Sequence, residues 1–257
     1  MRTALITGGA QGIGAAVAAK FLADGFAGVM LVDRNQAKLE AAQKRLGKTA
    51  EIYCGDLRDN ETPANAVAKA IKKFGRIDVV VNAAGNTERC GIADTTPEAF
   101  ARLFDVNVKA PLLMMQEAAK HMVAAKFGVI INISSMLAHG GPPNLATYSA
   151  SKSALTTLSR NAANTYKRDG IRVFCVNLGW ALTDGEHELQ TTFHKLPEDW
   201  ATSIGQRMPF GRLITADDVA GLCAFLVSPP AQMMTGAVID YEQMPVGTFD
   251  SHPALAP

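Results

Sequence analysis

Cysteine is scarce. The 257 residues contain four, Cys54, Cys90, Cys175 and Cys223, scattered and without a CxxC pair. That excludes a disulfide framework and leaves four reduced thiols, the expectation for a cytoplasmic protein. No His/Cys/Asp cluster has ligand spacing, so no metal is expected. The formal net charge is only +1, which gives no case for a nucleic-acid partner. No uninterrupted apolar stretch reaches the length of a membrane span, so no membrane partner is expected. Arg2 leads straight into a strand and a glycine loop, so no signal peptide is expected. No composition break marks a second domain.

What is there is an ordinary globular composition, 48% hydrophobic and 19% charged, in a chain long enough to bury a sizeable core. Thr3 to Thr7 reads as a short apolar strand. GGAQGIG follows, with glycines at 8, 9, 12 and 14, and then a helical apolar pattern through Ile13, Val17, Phe21 and Leu22. Gly28 to Asp33 is a second strand ending in an acid. This is a βαβ unit with a glycine-rich first turn. Small residues let the backbone approach a pyrophosphate, and the helix N-terminus offers free N–H groups. Asp33, nineteen residues past Gly14, is placed to accept from an adenosine ribose.

The alternation continues. Helices are expected at 36–46, 62–74, 97–126, 146–168 and 217–227, and strands at 51–54, 78–81, 129–133, 171–176 and 237–240. The fold class is therefore α/β: a single-domain doubly wound parallel sheet, a Rossmann fold over 1–257 with about seven strands and helices on both faces. Ligands of such a sheet bind beyond the carboxyl ends of its strands.

Residues 129–152 read VIINISSMLAHGGPPNLATYSASK. A buried strand ends in two serines, a Gly/Pro loop follows, and a helix begins near Ala146. Tyr148 and Lys152, four apart, share one helix face, and Ser135 at the strand end can face them. An ammonium beside a phenol favours the phenolate, which can take a proton from an alcohol as a hydride leaves the same carbon. Taken alone, the Tyr-xxx-Lys spacing also fits a solvated helix face.

TGGAQGIG at 7–14, NAAG at 82–85, Asn107 in DVNVKA, Ser135, and Tyr148 with Lys152 together resemble the short-chain dehydrogenase/reductase family, in order and at family spacing. The resemblance covers Thr3 to Asp240. It implies Tyr148 as general acid/base and Ser135 as the group orienting the substrate oxygen. Lys152 would lower the Tyr148 pKa and hold the nicotinamide ribose, and Tyr148 would contact the cofactor as well. Asn107 would interrupt helical bonding and anchor a water toward Lys152. For the dinucleotide it implies Gly8, Gln11, Gly12, Ile13 and Gly14 at the turn, Asp33 and Arg34 at the ribose, and Asp56 and Leu57 beside the adenine. Asn82, Ala83, Ala84 and Gly85 would line the adenosine side and steady the central strand, with Gly179 and Thr183 at the nicotinamide.

Three positions depart from the family pattern: Ala83 in the NNAG motif, Leu178 where Pro-Gly is usual, and Phe174 where Asn is common. They leave the Ser-Tyr-Lys group intact and alter the nicotinamide and substrate loop.

Asp33 would repel a 2′-phosphate, so NAD is the expected cofactor. Arg34 would offset part of that repulsion, which leaves NADP as second choice. Residues 180–208 are expected to form a lid, and their polar composition suits a small polar substrate: a sugar, polyol or sugar acid. Trp180, Glu186, His187, His194, Arg89 and Asn144 are the candidate contacts. Another ketone or 3-oxoacyl reductase is the alternative, and a non-catalytic dinucleotide sensor is a further one. Family resemblance also implies a homotetramer, with the tail at 241–257 near a neighbour's pocket.

Overall fold

The structure, a computed structural model, describes residues 1–247. The expected position of the tail beyond residue 247 therefore lies outside the described residues.

The first strand, β1 (Thr3–Thr7), is buried at every residue, as is β5 (Gly128–Ile133); β2 (Gly28–Asp33) and β6 (Ile171–Leu178) are buried at all but one. Such runs do not alternate because helices cover both faces. With β3 (Ala50–Cys54), β4 (Val79–Asn82) and β9 (Val238–Tyr241) they form one sheet in the order β3-β2-β1-β4-β5-β6-β9. Every pairing in it is parallel. The order reverses between β1 and β4, which opens a crevice at their carboxyl ends.

One apolar cluster joins the sheet to α1 (Gly12–Ala23), α2 (Gln36–Leu46) and α9 (Ala216–Val227). A second joins the other face to α3 (Glu61–Phe74), α5 (Ala110–Ala125) and α6 (Ala146–Tyr166). Local chemistry sets the helix ends. Thr96 caps α4 (Pro97–Phe104), with proline at its first position, and Thr215 and Asp218 form a reciprocal capping box on α9.

The expected helix over 97–126 is broken. Asp105–Lys109 forms a π turn between α4 and α5, centred on buried Asn107. The expected lid contains two short helices, α7 (Asp184–Glu188) and α8 (Trp200–Gly205), with a second π turn at Leu189–Phe193. A two-stranded sheet ties its base to the body: β7 (Ala181–Leu182) pairs with β8 (Ile214–Thr215). Two-residue strands are too short to carry a periodicity and leave no pattern to read.

The loop after β5 is anchored to the sheet edge. His139 Nε2 lies 3.0 Å from Asp240 Oδ1, and the Asn177 amide donates to the same oxygen at 2.8 Å. Among the described residues no helix is long and apolar enough to cross a membrane.

Candidate active site

The crevice begins at the turn between β1 and α1. Gly8 has φ +66° and Gly12 φ +54°, values that favour glycine. A Cβ on Gly14 would stand 2.3 Å from the Gly8 carbonyl oxygen. The turn is closed against side chains, and Gln11, the residue before α1, makes no side-chain cap there. The first N–H groups of a twelve-residue helix are thus left for an anion. A pyrophosphate fits this cradle.

Beside it, a cleft of about 580 Å³ is lined by Arg34, Asn35, Gln36, Cys54, Gly55, Asp56 and Arg58. Asp33 ends β2, one residue before Arg34 of the cleft lining, and accepts from the Asn35 N–H at 3.1 Å. Arg58 donates to both Asp56 oxygens, Nη2 to Oδ2 at 2.6 Å. That bonding holds the Asp56 carboxyl below its usual range. Leu57 is buried.

Deeper in, helix α6 carries Tyr148 and Lys152 on one face, and β5 delivers Ser135 opposite them. Ser135 caps the following 3-10 turn, accepting from Leu137 N–H at 3.2 Å. The Lys152 ammonium is buried, donates to the Ile133 carbonyl at 3.0 Å and lies 5.7 Å from the Tyr148 ring centroid. Burial pulls the Lys152 pKa down to about 8. Burial likewise pushes the Tyr148 phenol above its ordinary value; the Ser135 hydroxyl opposes that shift and the Glu186 charge adds to it. This differs from the expected lowering of the phenol by Lys152. Desolvation by burial is the largest cause of that shift.

Gly85 roofs the lysine. A Cβ there would lie 3.7 Å from Lys152 Nζ and 3.8 Å from Asn107 Oδ1. The Asn107 amide accepts from Asn86 N–H at 2.8 Å and donates to Asn86 O at 2.9 Å and to Ser151 Oγ at 3.0 Å. Ser151 in turn donates to the Tyr148 carbonyl at 2.6 Å. The second lone pair of Asn107 Oδ1 and a backbone carbonyl released by the π turn are the two acceptors on this residue for a water toward Lys152.

Several other expectations change. The Asn82 side chain does not face the crevice; it is buried and donates to Asn132 Oδ1 at 2.7 Å, linking β4 to β5. Ala84 N–H donates to Thr7 Oγ1 at 3.2 Å, and Ala83 packs against the core. Arg89 and Asn144, expected to touch substrate, are exposed, with no hydrogen bond or ion pair to any described residue. His187 is not free for substrate. Its Nδ1 accepts from Trp200 Nε1 at 3.2 Å, and its Nε2 lies 3.0 Å from Glu198 Oε2. Indole N–H only donates, so the proton of a neutral His187 sits on Nε2. Trp180 Nε1 donates to Glu186 Oε1 at 2.8 Å, and its ring stacks on buried Trp200 at 5.6 Å. The His194 ring nitrogen Nε2 is buried without a partner.

Thr183 caps α7, accepting from Glu186 N–H at 3.2 Å, and its side chain would meet a Cβ on Gly12 at 3.5 Å. A Cβ on Gly185 would come within 3.4 Å of Gln11 Nε2. The lid base thus lies over the glycine turn. Gly179 is closed by Glu242, whose Oε2 would overlap any Cβ placed there.

Sequence reading missed Ser151, Asn86, Arg58, Gln190 and Trp200 as supports of the site. Ser151 had a signal: it is three residues past Tyr148, on the helix face that had to be buried. The others are set by loop geometry that leaves no periodic trace.

A family model described as enoyl-(acyl carrier protein) reductase matches residues 8–242. A sorbitol dehydrogenase of Cereibacter sphaeroides is 34% identical over 237 residues, covering 90% of this chain and 91% of its own. Among solved structures, the NADPH dependent reductase YwfH, involved in bacilysin biosynthesis, superposes with TM-score 0.88 at 27% identity, covering 96% of this chain and 99% of its own. NAD+-bound xylitol dehydrogenase superposes with TM-score 0.85 at 27% identity, covering 95% and 98%.

Proposed function

The chain belongs to the short-chain dehydrogenase/reductase family and is an oxidoreductase acting on CH–OH groups; we propose that it oxidises a small polyhydroxylated alcohol, a polyol or sugar, with NAD. The observation that carries this reading is the convergence of Ser135, Tyr148 and buried Lys152 at the carboxyl end of β5, in line with the glycine turn.

In this reading Ser135 donates to the substrate oxygen and holds the carbinol against Tyr148. The Tyr148 phenolate takes the hydroxyl proton as the C–H bond gives up its electron pair as hydride. The nicotinamide, when bound, supplies the hydride acceptor. Lys152 offers N–H donors to the ribose hydroxyls, and below about pH 8, where it is protonated, its charge favours the phenolate. Asn107 positions Lys152 and Tyr148 through Asn86 and Ser151. Gly8 to Gly14 take the pyrophosphate and Asp33 the adenosine ribose hydroxyls. Residues 180–208 act as the lid of one catalytic domain, 1–257.

The nucleotide choice rests on Asp33 at the end of β2; Arg34, the next residue, lines the cleft and is the group that would admit NADP. Polyol oxidation is supported by a polar lid and by similarity to a sorbitol dehydrogenase. A second reading is ketone reduction. It is favoured by the phenol's raised pKa, which keeps Tyr148 protonated as an acid.

A homotetramer in the cytoplasm completes the proposal. Phe100, 47% exposed and stacked on Phe104 at 4.2 Å, supports an interface on α4, and four free thiols support the compartment.

The test is initial rates with NAD and NADP on sorbitol, xylitol and galactitol, beside reduction of the matching ketoses and of a 3-oxoacyl thioester. NAD-linked oxidation with a preference for the polyols is the expected result. NADP preference, or turnover of the thioester alone, contradicts it. Dinucleotide binding without any turnover would favour the sensor reading.

A further inference from the structure

Glu186 is the one lid carboxylate whose charge reaches the Tyr148 phenol. Its support is one-sided. Trp180 Nε1 and Gln190 Nε2 both donate to Oε1, each at 2.8 Å, while Oε2 has no partner among the described residues. Both donors are neutral, and no cation pairs with the group among the described residues. The support is itself rigid: Gln190 is buried, and Trp180 stacks on Trp200, which is 2% exposed and bonded to His187. The α7 turn that carries Glu186 starts at Thr183, which lies against Gly12, so the lid segment bearing the carboxylate begins beside the glycine turn.

We propose that Glu186 is a substrate-binding carboxylate, its free Oε2 accepting hydrogen bonds from the hydroxyls of a neutral alcohol and its charge rejecting anionic substrates. Charge-assisted acceptance favours polyols and neutral sugars, and like-charge repulsion disfavours sugar acids. This deepens the proposed function and rests on its placement of substrate beside Tyr148. A charge that was merely solvated would alter neither preference.

The test uses two substrate pairs, sorbitol with gluconate and cyclohexanol with 4-hydroxycyclohexanecarboxylate, on the wild type and Glu186→Gln. Glutamine keeps an oxygen for Trp180 and Gln190 and removes the charge, so the lid should hold; equal melting temperatures check this. Wild type should favour the neutral member of each pair. In Glu186→Gln the KM for sorbitol should rise about tenfold or more while kcat changes less than about threefold. The KM for the acid should fall, and the alkaline limb of the oxidation rate should move to lower pH, because a negative charge near the phenol is gone. Glu186→Asp, one methylene short, should keep the charge preference and lose affinity.

An unchanged neutral-to-acid ratio in Glu186→Gln overturns the proposal. So does a wild type that prefers the acids, or one that neither turns over nor binds any of the four by Trp180 fluorescence quenching. Turnover of the cyclohexane pair alone defeats the polyol reading of the site, and the ratio within that pair then decides the role of Glu186 separately.

Discussion

The Asn107 amide donates to Ser151 Oγ at 3.0 Å, joining the π turn between α4 and α5 to the helix that carries Tyr148 and Lys152. The same amide brackets both backbone groups of Asn86. One buried side chain thus fixes the helix, the loop after β4 and the lysine's roof relative to one another.

Asn107→Ala removes all three bonds and leaves buried groups unpaired. We expect a loss of about 2–4 kcal/mol in stability, with kcat falling more than the affinity for NADH. Urea unfolding and steady-state kinetics on one preparation check both parts. A variant within 0.5 kcal/mol of wild type, roughly the range of a neutral surface change, would refute the role assigned to Asn107.

Lys152 sets a conflict between stability and catalysis. Its pKa is about 8 in the folded protein, against 10.5 as the ordinary value. Between those values the unfolded chain binds more protons, so this group's contribution improves as pH rises from 8. Below pH 8 the buried charge costs the fold about 3 kcal/mol. Lys152→Met removes that cost but leaves the Ile133 carbonyl without its donor. We expect the variant to be about 1–2 kcal/mol more stable at pH 7, the advantage shrinking toward pH 10, with activity down about a hundredfold or more. Denaturant melts at pH 7 and 9.5 decide it; a pH-independent difference contradicts the account.

Two glycines should respond oppositely to one methyl group. Gly14→Ala forces a Cβ to within 2.3 Å of a backbone oxygen. Opening the turn to relieve it should cost about 1–3 kcal/mol and weaken NAD binding more than tenfold. At Gly85 the nearest atoms are 3.7 and 3.8 Å away, ordinary contact distances, so Gly85→Ala should leave the melting temperature within about 2 °C of wild type. Calorimetry and NADH titration on both variants read the contrast.

The order of elements was legible because buried parallel strands and amphipathic helices each leave a period or a run; the seven strands of the main sheet fall where apolar runs and turn residues put them. The positions of the glycine turn, Asp33, Ser135, Tyr148 and Lys152 followed from spacing along those elements. What stayed hidden was set by side chains meeting across loops. Trp180 and His187 read as free polar groups on a lid, yet each hydrogen-bonds another lid residue. Asn82 read as both a cleft residue and a support of the central strand; the partner it meets, Asn132, is set by the register of β4 against β5. The phenol's direction of shift depends on depth of burial, which spacing does not report.

The central claim is that Tyr148 moves the proton. The direct test is kcat for NAD-linked oxidation of the best polyol by wild type and Tyr148→Phe, with NADH affinity measured on the same samples. The account predicts a loss of about 10²–10⁴-fold in kcat with NADH affinity unchanged. It also predicts a wild-type rate that climbs into alkaline pH, because burial holds the phenol above its ordinary value. A phenylalanine variant that retains wild-type turnover would contradict it.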